Sequence, residues 1–184
     1  MTSRQIRFRV AAEAPEFEQI FELAYSTFVE EIPQHPPNAQ RRHVDRFHED
    51  NVYLIALAGD VVVGMLAVRD RRPFSLDEKL GSVDAYLPPG RRVCELRLLA
   101  VRPEWRRGFV FCGLVNLVLT HGRSRGFDLA IISGTVRQAK LYRHLGFEPF
   151  GPTVGTSDAP FQPMFITIER FARQAPAIAR ATSL

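Results

Sequence analysis

The chain predicts an α/β fold, a mixed central sheet of six to seven strands flanked by helices. Three features carry that expectation. Val93–Phe127 strings together a strand (VCELRLLAV), a sharp basic turn (RPEWRRG), a long apolar run (FVFCGLVNLVLT) and HGRSRGF, and DLAIIS follows as a second strand. Strand, buried helix and returning strand make a βαβ unit, which joins parallel strands. YLIALAGDVVVGMLAV reads as two apolar strands about a Gly59-Asp60 hairpin turn. Two further strands, Phe147–Phe150 and Pro163–Ile168, follow a short helix that Gly146 terminates.

Taken in order, Ile6–Val10 (IRFRV) alternates apolar and basic residues, as an edge strand does. Pro15 opens a helix whose apolar face is Phe17, Ile20, Phe21, Leu23, Ala24 and Phe28. The prolines of IPQHPPNAQ end it, and Arg41–His48 reads as a short second helix with Val44 and Phe47 inward. After the hairpin comes a long connection, Asp70–Arg92, with SLDEKL as one helical turn. It is either a wall over a bound ligand or a solvated excursion. Residues 1–170 read as one domain, and 171–184 as a tail or linker to a further domain.

Composition narrows the partners. The net charge of +4 favours acidic ones: a phosphorylated cofactor, an acidic carrier protein or nucleic acid. The arginines are scattered among turns rather than gathered with aromatics, which disfavours nucleic acid. Cys94 and Cys112 lie in apolar runs without pair or metal spacing, and the five histidines read as surface or capping residues, so no metal site is expected. The N-terminus has no signal-peptide core, and Phe109–Thr120 is too short to span a bilayer. The expectation is a cytoplasmic protein with no membrane partner.

The basic turn points to an anion. A helix N-terminus offers unpaired amides and the positive end of its dipole, and Arg102, Arg106 and Arg107 surround it. A plain solvated basic turn is the alternative. LLAVRPEWRRGF (Leu98–Phe109) resembles the strand-to-helix signature of the GNAT acyltransferase superfamily, and LYRHLGFEPFG (Leu141–Gly151) resembles its "LYekLGF" segment. YSTFVEE is similar to the N-terminal part of two branches, the acyl-homoserine-lactone synthases and the long-chain N-acyl amino acid synthases.

The resemblance implies an N-acyltransferase. Its co-substrate is acyl-CoA or another acyl-phosphopantetheine thioester, and its acceptor a primary amine such as an amino acid. Leu99, Ala100, Val101, Arg102, Arg106, Arg107, Gly108 and Phe109 fall on the cofactor-binding positions. Phe109 and Phe111 occupy places where the superfamily keeps small residues, and bulk there obstructs a pyrophosphate on bare backbone. A carrier-protein donor presents a single phosphodiester and needs no such cradle. A non-catalytic module that binds an acyl group, CoA or a partner domain is the competing reading.

Acyl transfer needs a neutral nucleophile, a polarised carbonyl and a proton for the leaving thiolate. Backbone N–H groups around Ala100–Val101 are the candidates for the carbonyl. Glu95 and Arg97 share one face of their strand. Glu95 either accepts the ammonium proton or forms a structural ion pair. In the two branches named, a Glu opens this strand and an Arg follows three residues later; here that place holds Leu98, and Arg97 comes one step early. Tyr142 falls on the superfamily's proton-donating Tyr, or else packs beneath the sheet. The superfamily Asn seven residues before it is replaced by Thr135.

Overall fold

The computed structural model describes residues 5–106, 108–156 and 160–174. They group into two compact units, Met1–Val68 with Leu98–Val118, and Arg69–Arg97 with Leu119–Leu184.

In the first unit, β1 (Ile6–Val10) pairs antiparallel with β2 (Asn51–Ala58), placing Ile6 opposite Ala58 and Val10 opposite Leu54. β3 (Val61–Arg69) and then the C-terminal part of β4 (Val93–Val101) continue the strand order. Strand alternation divides the apolar residues between two faces. Tyr53, Ile55 and Leu57 pack with Ile20, Phe21, Leu23 and Ala24 of α1 (Ala14–Tyr25). Ala56, Ala58 and Val63 pack with Val110 and Leu114 of α3 (Phe109–Arg125).

The start of α1 is pinned by Glu16, whose buried carboxylate pairs with Arg9 and accepts the N–H groups of Ala12 and Glu13 at 2.9 and 3.1 Å. α1 runs on into one π-helical stretch, Ser26–Glu31. The helix expected over Arg41–His48 does not form; only a 3-10 turn at His48–Asp50 follows. Asp45 is the reason. Its buried carboxylate accepts from the Phe47 amide at 2.9 Å and from Asn51 Nδ2 at 3.0 Å. Such local side-chain bonds compete with helical ones, and Val44 is left 48% exposed rather than inward.

In the second unit the order is β4, β5 (Leu129–Thr135), β8 (Pro160–Thr167) and β6 (Glu148–Pro149), with β7 (Val154–Gly155) also on β8. β4 and β5 are parallel and β5 and β8 antiparallel, so the sheet is mixed as the sequence predicts. The short β6 and β7 bring the strands to eight. α4 (Ala139–Leu145) ends at Gly146, left-handed at φ +100°, and α5 (Ile168–Gln174) takes in the first residues of the expected tail. Residues 175–184 lie outside the described residues.

The Asp70–Arg92 connection is not a solvated excursion. Its α2 (Ser75–Leu80) and flanking turns bury Phe74, Leu76, Val83 and Leu87 against Leu129, Ile131 and Phe150. At about 1.5–3 kcal/mol per large apolar side chain, these residues form much of this unit's core.

Candidate active site

The basic turn lies in the first unit. Gly108 precedes α3 at φ +95°, and a Cβ placed there would meet nothing within 4 Å. Phe109 does not fill the loop: it is 67% exposed, its ring edge-on to Phe8 with centroids 5.9 Å apart. Arg102 is committed to β3, donating its amide to Val63 O at 2.9 Å and its Nε to Val62 O at 2.7 Å. Arg106 donates Nε to Val101 O at 2.8 Å and points both terminal nitrogens at Glu31. That partner was not anticipated, although it ends the YSTFVEE segment. Arg107 lies outside the described residues.

Two backbone features shape β4. Leu98 sits at φ +53°, a conformation that kinks a strand when the residue is not glycine. Since the Arg102 amide bonds to β3, alternation turns the Leu99 and Val101 amides, rather than that of Ala100, toward the opposite edge. In the second unit, the parallel ladder with β5 runs only from Val93–Leu129 to Glu95–Ile131. β5 then continues to Thr135 bonded to β8 alone.

Glu95 is 1% exposed and held on both oxygens. Oε2 accepts the Ser75 amide at 2.9 Å, and Oε1 accepts the Ser75 hydroxyl at 2.5 Å. Arg97 Nη1 lies 3.5 Å away. The expected Glu95–Arg97 neighbourhood is present, yet the shorter bonds run to Ser75. Nothing local in the sequence marks that residue, which precedes Glu95 by twenty positions. The contact fastens α2, and with it the buried insertion, to β4.

Tyr142 lies against β5. Its ring carbons come within 3.0 Å of where a Cβ on Gly134 would stand, so only glycine lets helix and strand approach this closely. The phenol donates to Gln138 Oε1 at 2.9 Å, and the ring packs edge-on to Phe147. Burial pushes the phenol above its ordinary pKa, while a hydrogen bond from Thr135 acts the other way. The residue standing in place of the superfamily Asn thus reaches the tyrosine. Glu95 and Tyr142 share the second unit but have different partners.

Two histidines depart from the expected surface positions; one is His121, whose Nε2 is buried. His48 is not a surface residue; its ring packs against Phe17, Phe21 and Tyr53, with Nδ1 3.3 Å from the Tyr53 hydroxyl. Among the described residues, no group of three His, Cys, Asp or Glu side chains is placed to hold a metal ion. No helix among the described residues is long and apolar enough to cross a membrane.

No curated protein matches the chain in sequence. Solved structures do match its fold. A CoA-dependent acyl-homoserine lactone synthase, BjaI, superposes with a TM-score of 0.78 at 21% identity, over 95% of this chain and 90% of that one. FeeM, an N-acyl amino acid synthase from uncultured soil microbes, gives 0.72 at 17% identity, over 96% and 98%. An acyl-CoA N-acyltransferase from Pseudomonas aeruginosa gives 0.61 at 14% identity, over 88% and 99%. The fold is that of the acyl-CoA N-acyltransferases, as the motifs about Arg102 and Tyr142 imply. Residues 19–165 match the family described as N-acyl amino acid synthase FeeM, and the chain belongs to that family.

Proposed function

We propose that this acyltransferase, which moves an acyl group from a phosphopantetheine thioester to a primary amine, takes an amino acid as the amine and a long-chain acyl group as the cargo. The observation that best supports a thioester site is the end of the β4–β5 ladder at Glu95, because backbone N–H groups beyond a ladder's end are left for a ligand to meet. The amides of Leu99 and Val101 then stabilise the oxyanion that forms as the amine attacks. Ala100 lies between them in the path of the pantetheine arm. Arg102, Arg106, Arg107 and the amides at Gly108 and Phe109 hold the phosphate end.

In this mechanism the neutral amine forms the C–N bond, the tetrahedral intermediate collapses, and the C–S bond breaks. Tyr142 gives its phenolic proton to the departing thiolate. Its raised pKa suits this, since the group stays protonated through neutral pH. Glu95, held beneath Ser75, takes the proton shed by the ammonium through water, and its fixed position holds the wall formed by the insertion.

Because the Phe109 ring turns outward onto Phe8, acyl-CoA can meet the loop as well as an acyl carrier protein can. The protein works in the cytoplasm. A reducing compartment suits Cys94, whose thiol burial pushes up to about 12, and the free Cys112.

The test is product mass spectrometry with the purified chain, acyl-CoA thioesters from two to sixteen carbons, the matching acyl carrier proteins and an amino-acid panel. N-acyl amino acids formed fastest from long-chain donors are expected. Acylation of other amines but of no amino acid would overturn the acceptor, and equal turnover of acetyl-CoA would overturn the chain length.

A further inference from the structure

The second unit carries a basic recess that the acyl-transfer chemistry does not use. It is open, has a volume of about 530 Å³, and is lined by Asp70, Arg71, Arg92, Ser124, Arg125 and Phe127. Its elements are the end of β3, the residue before β4, the last turn of α3 and the entry to β5. We propose that this recess binds the phosphate group of a small phosphomonoester.

The charges are arranged rather than accidental. Asp70, with its side chain only 8% exposed, takes Arg125 Nη2 at 2.8 Å and Arg71 Nε at 3.8 Å. The buried carboxylate thereby steers two guanidinium groups. Arg92 is placed by a different device. Its guanidinium lies over the Phe127 ring, 5.8 Å from the centroid. Its Nη1 stands 2.8 Å from where a Cβ on Gly126 would be, and Gly126 has φ +74°. Any other residue at 126 would strain the backbone and push this guanidinium aside. Among the described residues no carboxylate side chain pairs with Arg92; Asp128 accepts only its backbone amide.

Three guanidinium groups and one carboxylate line the recess, a formal excess of two positive charges among its lining residues. That excess matches the dianion of a phosphomonoester, and guanidinium forks bind phosphate oxygens in pairs. Burial, then the charge of Arg125, holds the imidazole of His121 below its ordinary value, so the arginines are the recess's cations at neutral pH. The volume falls within the range of small-ligand sites, about 300–1,000 Å³, and admits a mononucleotide as readily as free phosphate.

Isothermal titration of the full chain with inorganic phosphate, and separately with AMP, tests this at low salt. Wild type, Arg92→Gln and Arg106→Gln are compared, the last removing a phosphate candidate of the acyl-transfer site. One phosphate-bearing ligand per chain is expected, weakened about tenfold to a hundredfold by Arg92→Gln, as loss of a charge-assisted bond does, and unaffected by Arg106→Gln. If Arg92→Gln melts early, Arg71→Gln replaces it, being exposed and peripheral to the core. AMP binding more tightly than phosphate makes a nucleotide the ligand; equal affinities make the phosphate group sufficient. Absence of binding to wild type, or loss of binding in Arg106→Gln alone, overturns the proposal. Because Arg106 is the control, failure here leaves the acyl-transfer reading standing.

Discussion

Arg106 and Glu31 hold each other through two parallel bonds, Nη1 to Oε1 at 2.6 Å and Nη2 to Oε2 at 2.5 Å. The hydrogen bonds from Arg106 hold the Glu31 carboxyl below its ordinary range, and Glu31 in turn raises the guanidinium. The pair is therefore fully charged at neutral pH, and a phosphate arriving at the turn competes with Glu31. Glu31→Gln should lower the donor KM about two- to fivefold, the fold-change of an exposed pair worth ~0.2–1 kcal/mol. Arg106→Gln should raise it about tenfold or more, and kcat should move little in either. Steady-state kinetics with varied acyl-CoA reads both; an unmoved KM in the pair of variants would place the phosphates elsewhere.

Tyr142→Phe removes the proposed proton donor while keeping the ring on Gly134 and Phe147. A loss in kcat of about a hundredfold or more is expected, with the donor KM within about twofold. Burial raises the phenol's pKa, so the wild-type alkaline limb should lie above about pH 10, the ordinary phenol value, and be missing from the variant. A wild-type rate in the variant would remove Tyr142 from the chemistry.

Ser75 and Glu95 separate support from catalysis. Ser75→Ala leaves the buried carboxylate with the Ser75 amide and the more distant Arg97, and should destabilise the chain by about 1–3 kcal/mol in urea melts. Glu95→Gln should lower kcat well beyond Ser75→Ala when both are assayed under folding conditions. Equal losses would make Glu95 a positioning residue only.

Acid stability should depend on Glu16. Burial opposes its ionisation, but the amide of Ala12, the Arg9 bond and the amide of Glu13 together outweigh that, and its pKa falls. A folded-state pKa below the unfolded value, about 4.3, contributes stability in full above that pH. The contribution fades as pH drops through 4 toward the folded-state value. Urea midpoints of wild type and Glu16→Gln should therefore differ more at pH 7 than at pH 3.

Periodic signals survived folding. The hairpin at Gly59, the βαβ unit about α3, and the helix stop at Gly146 lie where apolar spacing and glycine place them. The helix expected at 41–48 failed because Asp45 turns inward and bonds the backbone. Phe109 was legible as bulk in a small-residue place, but not as bulk that swings onto Phe8.

By itself the sequence determined most of the strands and helices, their order, and the basic turn before α3, because each follows from neighbours within a few residues. The pairing of Arg106 with Glu31, the hold of Ser75 on Glu95 and the close seat of Tyr142 on Gly134 were decided only by tertiary structure. Those contacts join residues far apart in the chain or depend on which way a side chain turns. Local spacing carries no record of either, and only packing the core settles them.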